Sequence, residues 1–402
     1  MNYNNKNIAA DIHFQMRWSG TEVTHTEKYQ AFDVNFWRDC LPKELYDNLG
    51  IKSVGRTVQA DFHPGSIVPE YDLKKTFEIK QAQFNRRFVP NKEIKPRMGR
   101  FYPKGLLNGI AGVFPQNLQS FRCVGIENGV LKVDFNHPLA SKPLQVKAFV
   151  KGIRFKSVER GGRCYDWMDI MADGPGMQSR WEGKPTDFLS EKPFQREDDG
   201  TDLVFYNAPR FVQHIDDRAI EVVKGLYGGF VHDGMRVLDL MSSCTSHLPE
   251  GLRFEQLSGL GLNSEELKKN KELSDWVVHD LNENPILPYK NESYDAVVCT
   301  VSIEYVIDPE TVFKEIGRIL RPGGMFIVTF SNRWFPEKVI NIWKDLHEFE
   351  RMGLVMEYFQ KSEMFTDLET YSIRGLPRPT NDKYFPELMD SDPIYAVWGY
   401  KR

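Results

Sequence analysis

The chain has 402 residues, of which 41% are apolar and 13% aromatic, so it can bury more than one core and is not a disordered chain. Its formal net charge of −4 gives no whole-chain attraction to nucleic acid or to a membrane surface. The five cysteines form no CxxC pair, and the N-terminus lacks a signal-peptide pattern, so we expect a reduced, cytoplasmic protein. No His/Cys cluster indicates a metal centre, and no apolar run reaches the roughly 20 residues of a membrane helix.

Short apolar runs separated by Gly, Pro and Asn fill residues 1–155 and predict a β-rich (α+β) domain. The corner Glu127-Asn128-Gly129 predicts a hairpin, because Asn-Gly tolerates the positive φ of a two-residue turn. Residues 156–199 are rich in Gly and Pro but also in aromatic residues. We therefore predict an ordered connection there, not a solvated linker.

From residue 200 to residue 402, short apolar strands alternate with amphipathic helices, which predicts an α/β fold with a doubly wound, mostly parallel sheet. Helices are predicted at 209–230, 262–273, 309–320 and 336–353, the last ending at Gly353. Strands are predicted at 235–241, 275–281, 293–302, 325–331, 354–360 and 394–402. The final strand is expected to return antiparallel to its neighbours.

In a doubly wound sheet, ligands bind at the carboxyl ends of the strands, near the switch in strand order. Asp239 lies near such an end, and the small residues that follow it let a ligand approach the backbone. After the strand at 293–302 comes Glu304, a candidate general base. A solvated glutamate at a helix start is the commoner role for such a residue. His214 and His247 are further candidates for the mouth of the same site, although a lone histidine is more often structural.

The segment LSGLGLNSEELKKN and the run from Trp276 to Trp334 resemble the class I S-adenosylmethionine-dependent methyltransferases, specifically the type 11 group. The resemblance covers about half of the chain and implies a Rossmann-like fold with S-adenosylmethionine as cofactor. It also implies that Asp280 meets the adenine amino group. The implied cofactor-binding residues are Asp239, Met241, Ser242, Ser243, Gly261, Asn263, Asp280, Leu281 and Ser302, with Glu304 and Tyr305 as catalytic candidates on the acceptor side.

The cofactor loops depart from the family's pattern in two places. Met241, Ser243 and Thr245 stand where the family has glycines, which permit positive φ and close backbone approach. Gly261 stands where the family has the carboxylate that grips the ribose hydroxyls; Asn263 is a neutral and weaker acceptor. Cofactor binding is therefore either remodelled or lost.

Residues 54–72 and 133–150 resemble two pieces of the SlyD-like, immunophilin-type prolyl isomerases, in which a chaperone domain is inserted in the flap. The specific part is Asn136 to Ala140 with Lys142, and the insert here spans about 70–130. Four aromatic residues are candidates for an isomerase pocket: Trp18, Phe32, Phe36 and Phe135. The insert offers an apolar face for unfolded peptide: Phe101, Tyr102, Leu106, Leu107, Ile110 and Phe114.

Two functions follow from these resemblances. The first is a methyltransferase (200–402) fused through the connection to a peptide-binding, prolyl-isomerase-like module (1–155), with a peptide or protein as substrate. The second is a non-catalytic peptide- or protein-binding or chaperone protein that has lost cofactor binding. The altered loop after Asp239 favours the second, while Asp280 and the Arg-Pro-Gly-Gly turn favour the first. The oligomeric state stays open.

Overall fold

The structure, a computed structural model, describes residues 8–20, 22–88, 93–155 and 162–402. The chain divides into two compact units. Unit 1 comprises Met1–Thr21, Phe32–Lys192 and Asp345–Glu357, and unit 2 comprises Glu22–Ala31, Pro193–Lys344 and Tyr358–Arg402. Residues 1–7 and residues 156–161 of the predicted connection lie outside the described residues. In the ranges that are described, no helix combines the length and the apolar character that crossing a bilayer requires.

The N-terminal part of the chain contains mostly strands. Its elements are β1 (Ile8–Ser19), β2 (Val23–Asn35), α1 (Lys43–Tyr46), β3 (Thr57–Phe62), β4 (Thr76–Lys80), β5 (Phe101–Pro103), β6 (Ser120–Glu127), β7 (Val130–Asp134), β8 (Leu144–Phe155) and α2 (Trp167–Ala172).

Unit 1 builds two antiparallel arrays from these strands. β8 pairs with β1 on one side and with β3 on the other, so the two segments that resemble prolyl isomerases lie side by side. The predicted insert forms its own sheet in the order β4-β7-β6-β5. The predicted hairpin joins β6 to β7, with positive φ at Asn128 and Gly129. A β-rich N-terminal region is thus present, and its immunophilin-like identity stays a prediction.

The predicted apolar face of the insert is mainly core. Phe101, Tyr102, Leu106 and Leu107 are buried. The last three belong to the core cluster of the small sheet, together with Phe84, Phe121, Leu131 and Val133, and Ile110 packs against that cluster. Only Phe114 of the predicted set is largely exposed. The face expected to hold unfolded peptide is therefore not open.

The four rings predicted for an isomerase pocket have different surroundings. Trp18 and Phe36 are buried, whereas Phe32 is exposed. Phe135 packs against Phe77 and Phe121 at the edge of the insert's core. These contacts place Phe135 in a packing role.

The described part of the connection contributes buried side chains to unit 1. Met168, Met171 and Phe188 are buried there, and α2 begins at Asp166, whose carboxylate caps the backbone N–H groups of Met168 and Asp169. Gly176 leaves no room for a side chain, since a Cβ would lie 2.6 Å from Pro138 Cβ. This segment belongs to unit 1 as far as Lys192.

The C-terminal part of the chain alternates between helices and strands. Its elements are α3 (Asp202–Phe205), α4 (Asp217–Tyr227), β9 (Arg236–Leu240), β10 (Gln256–Gly261), α5 (Ser264–Lys269), β11 (Asp275–Val278), β12 (Tyr294–Thr300), α6 (Pro309–Ile319), β13 (Leu320–Phe330), α7 (Asn341–Lys344), α8 (Glu348–Ser362), β14 (Phe365–Arg374) and β15 (Ile394–Lys401).

The sheet of unit 2 has the order β11-β10-β9-β12-β13-β15-β14, with the unit's part of β2 beside β14. The first five strands run parallel, and β15 is antiparallel to both β13 and β14. This confirms the doubly wound sheet and the returning final strand. The order reverses between β9 and β12, so the switch point lies beside the end of β9.

The strands that flank this switch are apolar on both faces, as strands covered by helices must be. Val237 and Val298 face the same cluster as Val223 and Tyr227 of α4. The Tyr227 hydroxyl also bonds the Thr300 hydroxyl at 2.7 Å, which fixes α4 against the carboxyl end of β12.

Three predicted elements differ in the structure. The helix predicted over 336–353 is split into α7 and α8, and α8 does not end at Gly353. The helix predicted over 209–230 is shorter, because Asp216 caps the backbone N–H of Ala219 and begins α4 there. The strand predicted over 354–360 is helical, since α8 runs through Gly353 to Ser362. A Cβ built on Gly353 would lie 3.1 Å from the Gln178 carbonyl oxygen and 3.1 Å from the Phe188 ring. The close approach of these groups explains the glycine at this position.

Candidate functional site

A cavity of about 390 Å³ lies in unit 2 at the carboxyl ends of the parallel strands. That volume suits a small molecule or nucleotide cofactor. Residues after all five parallel strands line it, together with the segment that precedes α4 and the loop between β14 and β15. Of the residues predicted from the sequence, the lining includes Asp239, Met241, Ser242, Ser243, Gly261, Asn263, Asp280, Leu281, Ser302 and Tyr305, and also His214 and His247.

The loop after β9 keeps a glycine-like backbone without a glycine. Met241 has a φ of +59°, in the left-handed region that glycine adopts freely. For a residue with a side chain, this conformation costs about 1–2 kcal/mol. The Ser242 N–H donates to the Leu260 carbonyl at 2.7 Å, which ties the loop to the end of β10.

Asp239 lies at the base of this loop and is buried. Its Oδ2 accepts a hydrogen bond from the Ser242 hydroxyl at 2.5 Å. Burial raises the pKa of Asp239 to about 7, and hydrogen bonds from Ser242 and Ser246 only partly oppose that rise. The Asp239 carboxyl group therefore holds the loop through its hydrogen bond with Ser242.

Gly261 ends β10 where the loop after β9 comes closest. A Cβ built on Gly261 would lie 2.2 Å from the Ser242 carbonyl oxygen, a distance that no side chain tolerates. The two departures from the family's pattern, the loop that contains Ser242 and the glycine at position 261, therefore depend on each other. A carboxylate cannot occupy position 261 while Ser242 has this position.

The Asn263 side chain makes four hydrogen bonds with backbone groups of the protein. Its Oδ1 accepts from the N–H groups of Glu265 and Glu266 at the start of α5, and its Nδ2 donates to the carbonyls of Tyr206 and Asn207. The amide thus caps α5 and holds the segment that follows α3. These contacts leave it poorly placed to replace the missing ribose carboxylate.

Asp280 follows β11 and presents an unused acceptor. Its Oδ1 accepts from the Asn282 N–H at 2.9 Å, whereas its Oδ2 is buried without a hydrogen-bond partner among the described residues. Leaving a buried carboxylate oxygen unpaired costs about 1–3 kcal/mol or more. A ligand that presents an N–H donor, as an adenine amino group does, would remove this cost.

The residues after β12 are divided between the cavity and the core. Ser302 lines the cavity and donates to the Thr300 carbonyl at 2.8 Å. Tyr305 lines it as well; its hydroxyl accepts from the Phe335 N–H at 2.9 Å, and burial raises the pKa of Tyr305 well above its usual value. Glu304 is fully buried and does not line the cavity, so its position does not support a general base.

Aromatic rings form the wall opposite the loop after β9. Tyr206, Tyr305 and Phe335 line the cavity, and the Arg210 guanidinium lies 5.2 Å from the ring centroids of both Tyr206 and Phe335. The His214 ring packs on the edge of Phe335, with the centroids 5.3 Å apart. Such a wall suits a flat or apolar group.

Both predicted histidines are uncharged near neutral pH. Burial lowers the pKa of His247 to about 4. The pKa of His214 is also lowered, first by the protein packed around it and then by the charges of Arg210 and Lys383, against the opposing effect of Glu266. A neutral imidazole can accept a proton, which a charged one cannot.

One lining residue that the sequence did not single out is Glu266. It lies in the first turn of α5, where adjacent glutamates are ordinary, so the sequence carried no signal for it. In the structure its side chain is buried against the cavity, whereas the neighbouring Glu265 is exposed.

The strand order and the cavity at the switch point define a Rossmann-like fold of the class that binds nucleotide cofactors. Within it, residues 244–328 match the family described as a methyltransferase domain. This part of the chain is therefore similar to methyltransferase domains, and that similarity implies S-adenosylmethionine as cofactor. The match covers less than half of the chain.

Curated relatives match about a quarter of the chain. Cycloartenol-C-24-methyltransferase 1 of Oryza sativa subsp. japonica is 32% identical over 109 residues, which are 24% of this chain and 31% of that protein. A ubiquinone biosynthesis O-methyltransferase of Xanthomonas oryzae pv. oryzae is 26% identical over 109 residues, 27% of this chain and 41% of that protein. The chain thus spans well under half the length of these relatives.

Solved structures resemble the same part of the chain. A SAM-dependent methyltransferase from Thermotoga maritima aligns at 20% identity and a TM-score of 0.33, over 46% of this chain and 89% of its own. An S-adenosylmethionine dependent methyltransferase from Mesorhizobium loti aligns at 14% identity and a TM-score of 0.31, over 44% and 96%. The strand order defines the fold independently of these low-scoring likenesses.

Proposed function

We propose that unit 2 binds S-adenosylmethionine in the cavity at the switch point and transfers its methyl group to a small acceptor. The observation that carries the proposal is the buried, unpartnered Oδ2 of Asp280. It is an acceptor left open for a donor at the place where the resemblance puts the adenine amino group. The cavity volume and the family match over residues 244–328 support the same conclusion.

The protein's part in methyl transfer is mainly positioning. S-adenosylmethionine supplies an already activated methyl group, so holding an acceptor in line with it provides most of the rate. Tyr305 and Phe335, whose ring planes are tilted by 33°, present an aromatic wall against which an acceptor can pack. His214 is exposed at the cavity and uncharged near neutral pH, so it is the candidate to take a proton from a hydroxyl or amine acceptor.

The experiment is a calorimetric titration with S-adenosylhomocysteine of the full chain and of Asp280→Asn. Asparagine keeps an oxygen for the Asn282 N–H but turns an amide N–H₂ toward the adenine donor. We expect binding to the wild type and at least a tenfold weaker affinity in the variant, equivalent to about 1.4 kcal/mol. Asp275→Asn is the matched control, because Asp275 is exposed on β11 and does not line the cavity.

The non-catalytic alternative makes the opposite prediction. If the wild type fails to bind S-adenosylhomocysteine or S-adenosylmethionine at millimolar concentration, the loop from Met241 to Thr245 has closed the site and unit 2 is a scaffold. Equal affinity of the wild type and Asp280→Asn would remove the assignment of Asp280 while leaving cofactor binding in place.

A prolyl-isomerase-like, peptide-binding role for unit 1 is a further proposal with narrower support. It rests on the pairing of β3 with β8 and on the separate sheet of the insert. The buried Trp18 and Phe36 supply no open aromatic pocket. If unit 1 presents a peptide or protein acceptor, it binds that acceptor through residues other than Trp18 and Phe36.

A further inference from the structure

Glu266 has no assigned role, and the structure places its carboxylate in the cavity. The residue is 8% exposed and lies in the first turn of α5, directly after β10. Its Oε1 accepts from the Arg210 N–H at 2.6 Å, and its Oε2 accepts from the Ser243 hydroxyl at 2.7 Å. A carboxylate has about four lone-pair positions, so each oxygen can accept one further hydrogen bond.

The other carboxylates around the cavity are mostly neutralised. Four of the seven have a cationic partner within salt-bridge distance: Asp202 with Arg196 and Lys338, Asp216 with Arg378, Asp382 with Arg378, and Asp392 with Arg333 and Arg378. Among the described residues, the three without an ion pair are Asp239, Glu266 and Asp280. Asp239 has its pKa raised to about 7 and accepts a hydrogen bond from Ser242. Glu266 and Asp280 are thus the two remaining lining carboxylates that have no cationic partner among the described residues.

Geometry also explains why the acid is not at the end of β10. The Ser242 carbonyl fills the space in which a side chain at position 261 would begin. Asn263 is committed to capping α5 and holding residues 206 and 207. The next side chain that faces the cavity from this segment is Glu266.

We propose that Glu266 accepts hydrogen bonds from the ribose hydroxyls of the cofactor, replacing a carboxylate that position 261 cannot hold. The inference rests on the proposed function, because it names how that same site grips its ligand. A vicinal diol offers two donors, and a desolvated carboxylate is the strongest acceptor available for them. Ser243 and the Arg210 backbone then fix the carboxylate from its other side.

The test compares two ligands on three proteins. Glu266→Gln retains an oxygen for the Arg210 N–H and an amide that can donate to the Ser243 hydroxyl, so it keeps the local packing. Glu265→Gln is the control, because this adjacent glutamate is exposed and outside the cavity lining. Each protein is titrated calorimetrically with S-adenosylhomocysteine and with its 2′,3′-dideoxy counterpart, and a thermal melt checks folding.

We expect the wild type and Glu265→Gln to bind the dideoxy ligand at least tenfold more weakly than S-adenosylhomocysteine. Glu266→Gln should bind S-adenosylhomocysteine about tenfold more weakly than the wild type and should distinguish the two ligands by less than threefold. Should Glu266→Gln fail to fold, Glu266→Asp, which withdraws the carboxylate by one methylene, must show the same narrowing of the ligand ratio.

Two results would overturn the assignment, and they differ from failure of the proposed function. An equal loss for both ligands in Glu266→Gln would show that Glu266 only supports the loop. An unchanged ligand ratio with unchanged affinity would show that the ribose lies elsewhere. If the wild type binds neither ligand, the proposed function fails first, and the ribose assignment falls with it.

Discussion

Asp239 shows how one buried side chain can link the loop after β9 to pH. Its carboxyl group is 3% exposed, and burial raises its pKa to about 7. An unfolded chain would hold the same group near its usual value of about 3.9. Between these two values the folded protein binds a proton that the unfolded chain does not. The contribution of Asp239 to stability is therefore greatest below about pH 3.9, falls as the pH rises between these two values, and is lost above about pH 7.

Asp239→Asn should remove this dependence, because the amide cannot ionise and its oxygen can still accept from Ser242. Between the unfolded and the folded pKa of Asp239, each pH unit changes the free energy of unfolding by about 1.4 kcal/mol. From pH 5 to pH 8, the stability of the variant relative to the wild type should rise by about 2–3 kcal/mol. Urea unfolding at several pH values measures the difference. Asp233→Asn, an exposed position before β9, should give a flat difference, and a flat line for both variants would refute the argument.

Residue types at strand ends were predictable, whereas their partners were not. The short apolar strands that alternate with helices placed Asp239, Asp280 and Ser302 at one edge of the sheet, and the structure brings them together in one cavity. No pattern in the sequence predicts that Glu304 is buried in the core or that Glu266 is buried beside the cavity. Both depend on how a short helix sits against its sheet, which is a tertiary effect.

At the scale of elements, a buried lysine fastens the segment before α3 to the segment before α7. The Lys338 side chain is 0% exposed, and its Nζ lies 3.1 Å from Asp202 Oδ1 and 2.8 Å from the Gly200 carbonyl oxygen. Asp202 Oδ2 in turn accepts from Asn282 Nδ2 at 2.8 Å, which reaches the turn that carries Asp280. The fastening thus supports the cofactor side of the cavity.

Lys338→Met should lower the free energy of unfolding by about 3 kcal/mol, because breaking a buried pair leaves an under-compensated carboxylate. Lys344→Met is the matched control: Lys344 is 23% exposed and pairs with the exposed Glu197, so its loss should cost less than about 1 kcal/mol. Thermal melts of both variants and of the wild type make the comparison. Equal melting temperatures would mean that the buried lysine contributes no more than a surface one.

The elements themselves divide into those with a period and those without one. α6 showed a helical period, and β9, β11, β12 and β13 contain short apolar runs between turn signals, so these elements were predicted correctly. The run Leu354–Gln360 is buried almost throughout and has no polar face, so a buried helix and a buried strand look alike there. The structure has a helix there, α8, which runs through Gly353 to Ser362.

At the scale of the whole molecule, the chain crosses between the two units repeatedly. Unit 2 takes Glu22–Ala31 from the N-terminal part, and unit 1 takes Asp345–Glu357 from the C-terminal part. The sequence predicted consecutive domains at 1–155 and 200–402, joined by 156–199. The difference arises because strand pairing is non-local: residues 23–29 of β2 pair in parallel with β14 more than 300 residues later.

Both of these segments, Glu22–Ala31 in unit 2 and Asp345–Glu357 in unit 1, make buried polar contacts within their unit. His25 Nδ1 lies 2.7 Å from the Thr370 hydroxyl, and Glu27 accepts from the Ser372 hydroxyl, with all four residues buried. In unit 1, Glu350 accepts from the Arg100 guanidinium at 2.8 Å, with both side chains buried. A cut at residue 192 would therefore open the edge of β14 in one half and leave Arg100 unpaired in the other.

Halves 1–192 and 193–402 should consequently be insoluble when produced singly, and soluble and co-purifying when produced together. Each half then returns the segment that the other unit lacks, so the pair should also regain the affinity for S-adenosylhomocysteine of the intact chain. A pair in which Glu350→Ala stands in the C-terminal half should reassemble less well, because Arg100 loses its carboxylate. Glu348→Ala, at the partly exposed start of α8, is the control and should reassemble like the unmodified pair. A soluble 193–402 half that binds the ligand by itself would show that residues 22–31 are dispensable and that the domains are consecutive after all.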